Sequence, residues 1–222
     1  NPEFSILEWY RVGFGLAELM DEVVAFIFEV LAIDASNDQV NKISYATLFK
    51  QVTGLNALEF CLPSYRLYAQ ENGIIEAIEL CGSDYSMWLD FIFSHKVQPL
   101  LAQQLVSIVY GFPIIQSSLA RKNFNNPAIA DRFEVFVNGI EIGNGFFELA
   151  DATEQEERFD QENNARERMG LSQVKKDQQF LNALNAGLPD CSGIAIGLDR
   201  LLLMLTKTQS LKDVIAFPFD RA

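Results

Sequence analysis

The chain is poor in the residues that do most enzymatic nucleophilic and metal chemistry. Its 222 residues include three cysteines and one histidine. Cys61, Cys81 and Cys191 are widely spaced, so neither a thiolate metal cage nor a disulfide framework is visible, which fits a reducing cytosol. His95 has no partner nearby in sequence and reads as a surface or capping residue rather than a general base. Basic charge is also scarce: 17 Lys and Arg against 30 Asp and Glu leave −13, which argues against a general nucleic-acid-binding surface, though a local basic patch stays open. Long apolar runs are missing too. The longest, Val23 to Phe28, is bounded by Asp21, Glu22 and Glu29 and is far too short to span a bilayer. Hydrophobic content of 49% with 21% charge is that of a globular protein, long enough for one large domain or a domain with an insertion.

What is present centres on residues 131–149. Asn138-Gly139 between alternating apolar residues is a strong hairpin signal. With those two as the turn, Val137 faces Ile140, Phe136 faces Glu141 and Glu134 faces Gly143. Glu134 and Glu141 then share a face as diagonal neighbours, with open space over Gly143. Paired carboxylates repel and lose hydration unless a cation lies between them, and hard oxygen ligands with room for phosphates suit Mg²⁺. Strict alternation sends Glu148 to the opposite face, but a bulge in Gly143-Asn144-Gly145 would bring Asn144 and Glu148 into the same cavity. The alternative is a solvated face with ordinary surface acids.

Elsewhere the pattern is mixed. Residues 1–12 alternate partly, with Phe4, Ile6, Glu8 and Tyr10 on one face. Leu16 to Ile33 is an amphipathic helix, and 34–40 a polar loop. From Ser44, a plausible N-cap, to about Gln104 the pattern is helical, with Trp88, Phe91 and Phe93 as core candidates; it reads as an inserted helical subdomain at about 44–104. Leu105 to Tyr110 is a short buried strand. Residues 151–169 form a charged helix, and a second at about 177–186 stops at Gly187. Finally Gly193-Ile194-Ala195-Ile196-Gly197-Leu198-Asp199-Arg200 is a small-residue strand entering an apolar helix. Such a strand lets a ligand lie against backbone, and Arg200 at the junction can reach a phosphate. Tight packing with an Asp–Arg pair is the competing reading.

In this order the stretches resemble the catalytic domain of class II aminoacyl-tRNA synthetases, in the lysyl branch. Residues 1–10 look like the second half of motif 2, 131–149 like the lysyl-type metal and substrate hairpin, and 193–205 like motif 3. Leu7-Glu8-Trp9-Tyr10-Arg11, Pro189-Asp190-Cys191-Ser192-Gly193 and Ala195 (where tRNA-charging enzymes usually keep glycine) are most similar to the elongation factor P lysine ligases, a paralogous group. The resemblance implies an α+β fold, an antiparallel sheet flanked by helices with a helical insertion, and the cofactors ATP and Mg²⁺. It implies activation of lysine or (R)-β-lysine and transfer to a lysine of elongation factor P, with tRNA charging or a non-catalytic paralogue as alternatives. Phe4 would stack on adenine with Asn1 near it, and Glu134 and Glu141 would hold Mg²⁺ against the phosphates. Arg200 would be the catalytic cation on the nucleotide. Asn144 would meet the substrate carboxylate, Glu8, Tyr10 and Glu148 the distal ammonium, and Ala195 would line the pocket. It further implies a homodimer built through motif 1, no membrane association and a cytoplasmic setting. Motif 1 and the leading arginine-bearing strand of motif 2 are expected before Asn1, so a molecule beginning there is expected to be inactive, with an exposed sheet edge.

Overall fold

A computed structural model describes residues 3–34 and 39–221. Six strands form one mixed sheet: β1 (Ile6–Val12), β2 (Val40–Ser44), β3 (Val106–Pro113), β4 (Ile129–Val137), β5 (Ile140–Phe147) and β6 (Cys191–Gly197). Their order across the sheet is β1-β6-β5-β4-β3-β2. The expected α+β architecture is met, with one refinement to the antiparallel expectation. β2 runs parallel to β3, pairing Val40 with Val106 through Ser44 with Tyr110, and every other pairing is antiparallel. β2 begins at Val40, inside the expected polar loop of 34–40. A five-residue edge strand carrying Asn41, Lys42 and Ser44 offers too little apolar alternation to be read as one.

The two sheet faces have different fates, and this positions the site. On one face, α1 (Leu16–Val30) lays Leu19, Met20, Val23 and Ile27 against Ile108, Phe133, Val135, Ile142, Ile194 and Ile196. Spacing of three and four residues puts those side chains on one stripe. The helix stops three residues before the expected Ile33, because Ala32 takes φ +51° and turns the chain.

On the other face, β3 and β4 are covered by a helical block: α2 (Tyr45–Thr53), α3 (Leu62–Glu71), α4 (Glu76–Cys81) and α5 (Tyr85–Ile92), then a π turn and a 3₁₀ turn to Gln103. Ser44 caps α2 by accepting from Thr47 N at 3.2 Å. Tyr45, Phe49, Tyr65 and Trp88 form an aromatic core that meets the sheet at Val109, Phe112 and Phe136. Phe93 joins this core, while Phe91 stays half-buried at its margin. His95 is exposed, stacks on Phe91 at 4.0 Å and sits 2.8 Å by Nδ1 from the Phe91 carbonyl, a local surface role.

The helical block stops at β4, so the same face of β5, β6 and β1 stays uncovered by it. After the hairpin come α6 (Ala152–Arg168) and α7 (Gln178–Ala186), which pack on each other through Phe159 and Phe180. Then α8 (Leu198–Thr206) leaves the end of β6. Among the described residues no helix is long and apolar enough to cross a membrane.

Candidate active site

The register of the hairpin decides which acids meet. Asn138 and Gly139 take φ +49° and +79°, the left-handed pair of a tight hairpin turn, and Val137 pairs with Ile140 and Phe136 with Glu141 as expected. The next pairing departs from expectation: Val135 faces Gly143 and Glu134 faces Asn144, so Glu134 does not lie opposite Gly143. The cause is a one-residue bulge at Glu141–Ile142, earlier than the glycine run. Ile142 drops into the core and shifts the phase of everything after it. Gly143 and Gly145 are needed on the core side: a Cβ on Gly145 would come within 2.4 Å of the Phe133 ring.

Because of that bulge, one row crosses five strands. Glu8 on β1 pairs with Ala195 on β6, Ala195 with Asn144 on β5, Asn144 with Glu134 on β4, and Glu134 with Val109 on β3. Laterally paired residues point to the same face, so Glu8, Ala195, Asn144 and Glu134 form one strip. Three strand spacings, roughly 14 Å, separate Glu8 from Glu134. A second row, Tyr10, Gly193, Phe146 and Arg132, lies beside it. Alternation along β5 then places Glu148 next to Tyr10, and a Cβ on Gly193 would meet the Tyr10 ring at 2.5 Å and Glu148 Oε1 at 2.6 Å. Glycine there allows the two side chains to close over the strand.

The strip has two electrostatic ends. At the β1 end, burial pushes the Glu148 carboxyl up to about 7, with Glu8 adding repulsion. Burial first, then Glu8 and Glu148, also raises the Tyr10 phenol, whose hydroxyl lies 3.5 Å from Glu8 Oε1. Two acids and a phenol face one another with no cation among them in the described residues, a pocket suited to a positive ligand. Its rim is held by Arg121, which pairs with Asp190 at 2.6 Å, donates to the Glu148 carbonyl at 3.3 Å and stacks on Phe147.

At the β4 end, Glu134 and Glu141 line a cleft of about 550 Å³ together with Asp90, Arg132 and Phe112. Burial lifts the Glu134 carboxyl to about 7; Arg132 opposes the shift, while Glu141 and Asp90 reinforce it. Three acids line the cleft against Arg132, with Arg200 reaching Glu141 from the edge, so it stays short of positive charge even with the 2.5 Å Arg132–Glu134 ion pair in place. Among the described residues no three His, Cys, Asp or Glu side chains gather as a metal cage. A two-carboxylate, oxygen-only donor set fits a Mg²⁺ that takes its remaining ligands from phosphates and water.

Arg200, in the first turn of α8, donates by Nη1 to the Glu141 carbonyl at 2.6 Å and lies 3.7 Å from its carboxylate. Asp199 does not pair with it; Asp199 accepts from Ser5 N at 2.8 Å, and Leu198 N donates to Ser5 O at 2.9 Å. Those bonds tie the chain before β1 to the head of α8 and bring Phe4, 74% exposed, to the corner where Arg200 begins. An exposed ring and a half-exposed guanidinium carried on those tied segments are both available to a nucleotide. Asn1 lies outside the described residues.

The structure therefore brings Glu8, Tyr10, Asn144, Glu148, Ala195, Glu134, Glu141 and Arg200 to one side of the sheet. Sequence reasoning missed Arg132, which bonds Glu134, Asn144 and the Gln116 carbonyl, as well as Asp90 and Gln116, joined at 2.5 Å. Alternation two residues before Glu134 was a signal for Arg132. Asp90 and Gln116 come from distant segments and carried none.

A family model for class II tRNA synthetases (D, K and N) matches residues 1–221. Among curated proteins, the elongation factor P–(R)-beta-lysine ligase of Vibrio atlanticus is 40% identical over 222 residues. Proteins of the same name from Salmonella dublin and Buchnera aphidicola are 39% and 37% identical. Each alignment covers all of this chain and 67% of the relative.

Proposed function

The chain belongs to the class II tRNA synthetase family, a family of ligases, and from that premise we propose that it activates a lysine-type amino acid with ATP and transfers it to a lysine side chain of elongation factor P. The observation that carries this reading is the strip running from a cation-seeking pocket at Glu8, Tyr10 and Glu148 to a carboxylate pair at Glu134 and Glu141. A substrate with an ammonium at one end and a carboxylate at the other bridges those two environments. The names of the relatives favour (R)-β-lysine as that substrate and elongation factor P as the acceptor.

In this reading Glu8, Glu148 and the Tyr10 hydroxyl bind the distal ammonium, whose charge relieves their mutual repulsion. Asn144 donates to the substrate carboxylate, and the Ala195 methyl, lying between Glu8 and Asn144, shapes where the α- or β-amino group sits. Phe4 and Arg200 bind the nucleotide. Glu134 and Glu141 hold Mg²⁺, which supplies charge neutralisation at the phosphates. The substrate carboxylate oxygen attacks the α-phosphorus and the bond to pyrophosphate breaks. The neutral amine of the acceptor lysine then attacks the carbonyl carbon, AMP leaves with the former carboxylate oxygen, and the amine proton passes to solvent. The residues position and stabilise charge; none needs to act as a nucleophile.

A tRNA acceptor is the second reading, favoured by the family model alone. The whole protein carrying this chain, given ATP, Mg²⁺ and labelled lysine or (R)-β-lysine, should label elongation factor P and leave lysine tRNA unlabelled. Label on the tRNA would establish the second reading, and absence of pyrophosphate exchange would rule out both.

A further inference from the structure

Asn144 is an amide, and an amide can face a ligand with either its acceptor or its donor end. In this fold the choice is made by Arg132. Arg132 Nε lies 3.2 Å from Asn144 Oδ1, and a guanidinium has donors only, so the oxygen must face it. The amide nitrogen is turned away from the arginine, and among the described residues it has no hydrogen-bond partner. Arg132 itself cannot easily swing off. Nη1 donates to the Gln116 carbonyl at 2.6 Å, Nη2 donates to Glu134 at 2.5 Å, and the guanidinium carbon sits 4.4 Å from the Phe112 ring centroid. Three bonds and a stacked face fix the fork, and Gln116 is anchored in turn to Asp90 on α5.

We propose that Arg132 is a positioning residue that sets Asn144 as an obligate donor in the substrate pocket, making the site select a carboxylate over a neutral end group. The inference rests on the proposed lysine-type substrate. It gives the helical block a part in specificity, because the chain of contacts from Asp90 through Gln116 and Arg132 ends at Asn144. A lysine at position 132 could still pair with Glu134, but one ammonium cannot also span the Gln116 carbonyl and Asn144 in a fixed plane.

The test is amino-acid binding by titration calorimetry to the whole protein, without ATP and in the presence of a chelator, so that neither nucleotide nor metal enters. Lysine and lysinamide are compared within each variant. The wild-type protein should prefer lysine by roughly tenfold or more, the span of one hydrogen bond to a charged group. Arg132→Lys and Arg132→Met should bring that preference to within about threefold while lysinamide binds as to wild type. Asn144→Asp, nearly isosteric, should reverse it, since a carboxylate repels the lysine carboxylate and accepts from the amide. In an Asn144→Ala background, adding Arg132→Lys should change the preference no further. Retention of the wild-type preference in the Arg132 variants would overturn the inference, as would equal loss of both compounds, which marks a purely structural role. A wild-type protein that binds lysine normally separates those failures from failure of the proposed function; one that binds neither compound overturns both.

Discussion

Glu148→Gln separates the cost of the acidic pocket at Glu8, Tyr10 and Glu148 from its proposed use in binding an ammonium. The Glu148 carboxyl is raised to about 7 by burial first and by Glu8 second, against an ordinary value of 4.5. An acid whose folded value is raised keeps its proton in the fold and gives it up on unfolding. Its contribution to stability is complete below about 4.5 and is lost as pH rises through about 7. At 1.36 kcal/mol for each unit the interval would amount to about 3 kcal/mol; screening of this half-buried group by water reduces that to about 1–2 kcal/mol. Glutamine carries no titrating proton and nearly the same volume. Relative to wild type, Glu148→Gln should gain about 1–2 kcal/mol between pH 4.5 and pH 8, or about 2–8 °C in melting temperature for a chain of this size. Thermal unfolding of both proteins at pH 4.5 and pH 8, without ligand, gives the difference directly. Other acids titrate in both proteins and cancel. Saturating lysine should abolish the advantage at pH 8, and wild-type affinity for lysine should rise from pH 6 to pH 8. A melting-temperature offset equal at the two pH values would refute the argument that this pocket stores unrelieved negative charge.

Three further outcomes are expected. Gly193→Ala would drive a methyl into the Tyr10 ring and Glu148; it should lower stability by about 1–3 kcal/mol and weaken lysine binding more than ATP binding, read by melting temperature and calorimetry. Ala195→Gly, removing a methyl beside Asn144 and Glu8, should shift the preference between lysine and (R)-β-lysine by about 1–3 kcal/mol in the activation rate. Glu134→Gln should abolish most pyrophosphate exchange, about a hundredfold or more if charge stabilisation is its role, with lysine binding left within a few-fold. An unchanged Mg²⁺ requirement and rate in that variant would remove Glu134 from the proposed metal site.

The broad layout was legible in the sequence because its signals are periodic and local. The Asn138-Gly139 turn, the 3–4 spacing of α1, the Ser44 cap and the glycine stop of α7 each declare themselves within a few residues. The two-acid pairing of Glu134 with Glu141 was legible on the same grounds. What was hidden depended on tertiary choice. Bulge position is one case: Gly143-Asn144-Gly145 looked permissive, yet the extra residue sits at Glu141–Ile142, where the demand to bury Ile142 outweighs the flexibility of glycine. β2 was hidden because its strand character comes from pairing with β3 rather than from its own composition. The joint from Asp90 through Gln116 to Arg132 unites three separate segments, and no spacing rule connects them.

The bulge also makes the hairpin a spatial reading frame. From the turn to Glu141 the phase is fixed by Asn138-Gly139; from Gly143 onward it is fixed by pairing with β6. Ile142 is the single residue that reconciles the two frames. Ironing the bulge out into strict alternation, with Ile142 kept, would force one of the two halves out of phase. Either Glu141 would turn inward among the core side chains, or Asn144 and Glu148 would leave the pocket for the face beneath α1. The carboxylate pair and the acid–phenol pocket thus lie in different frames, and they open onto one face only while that one-residue offset is kept.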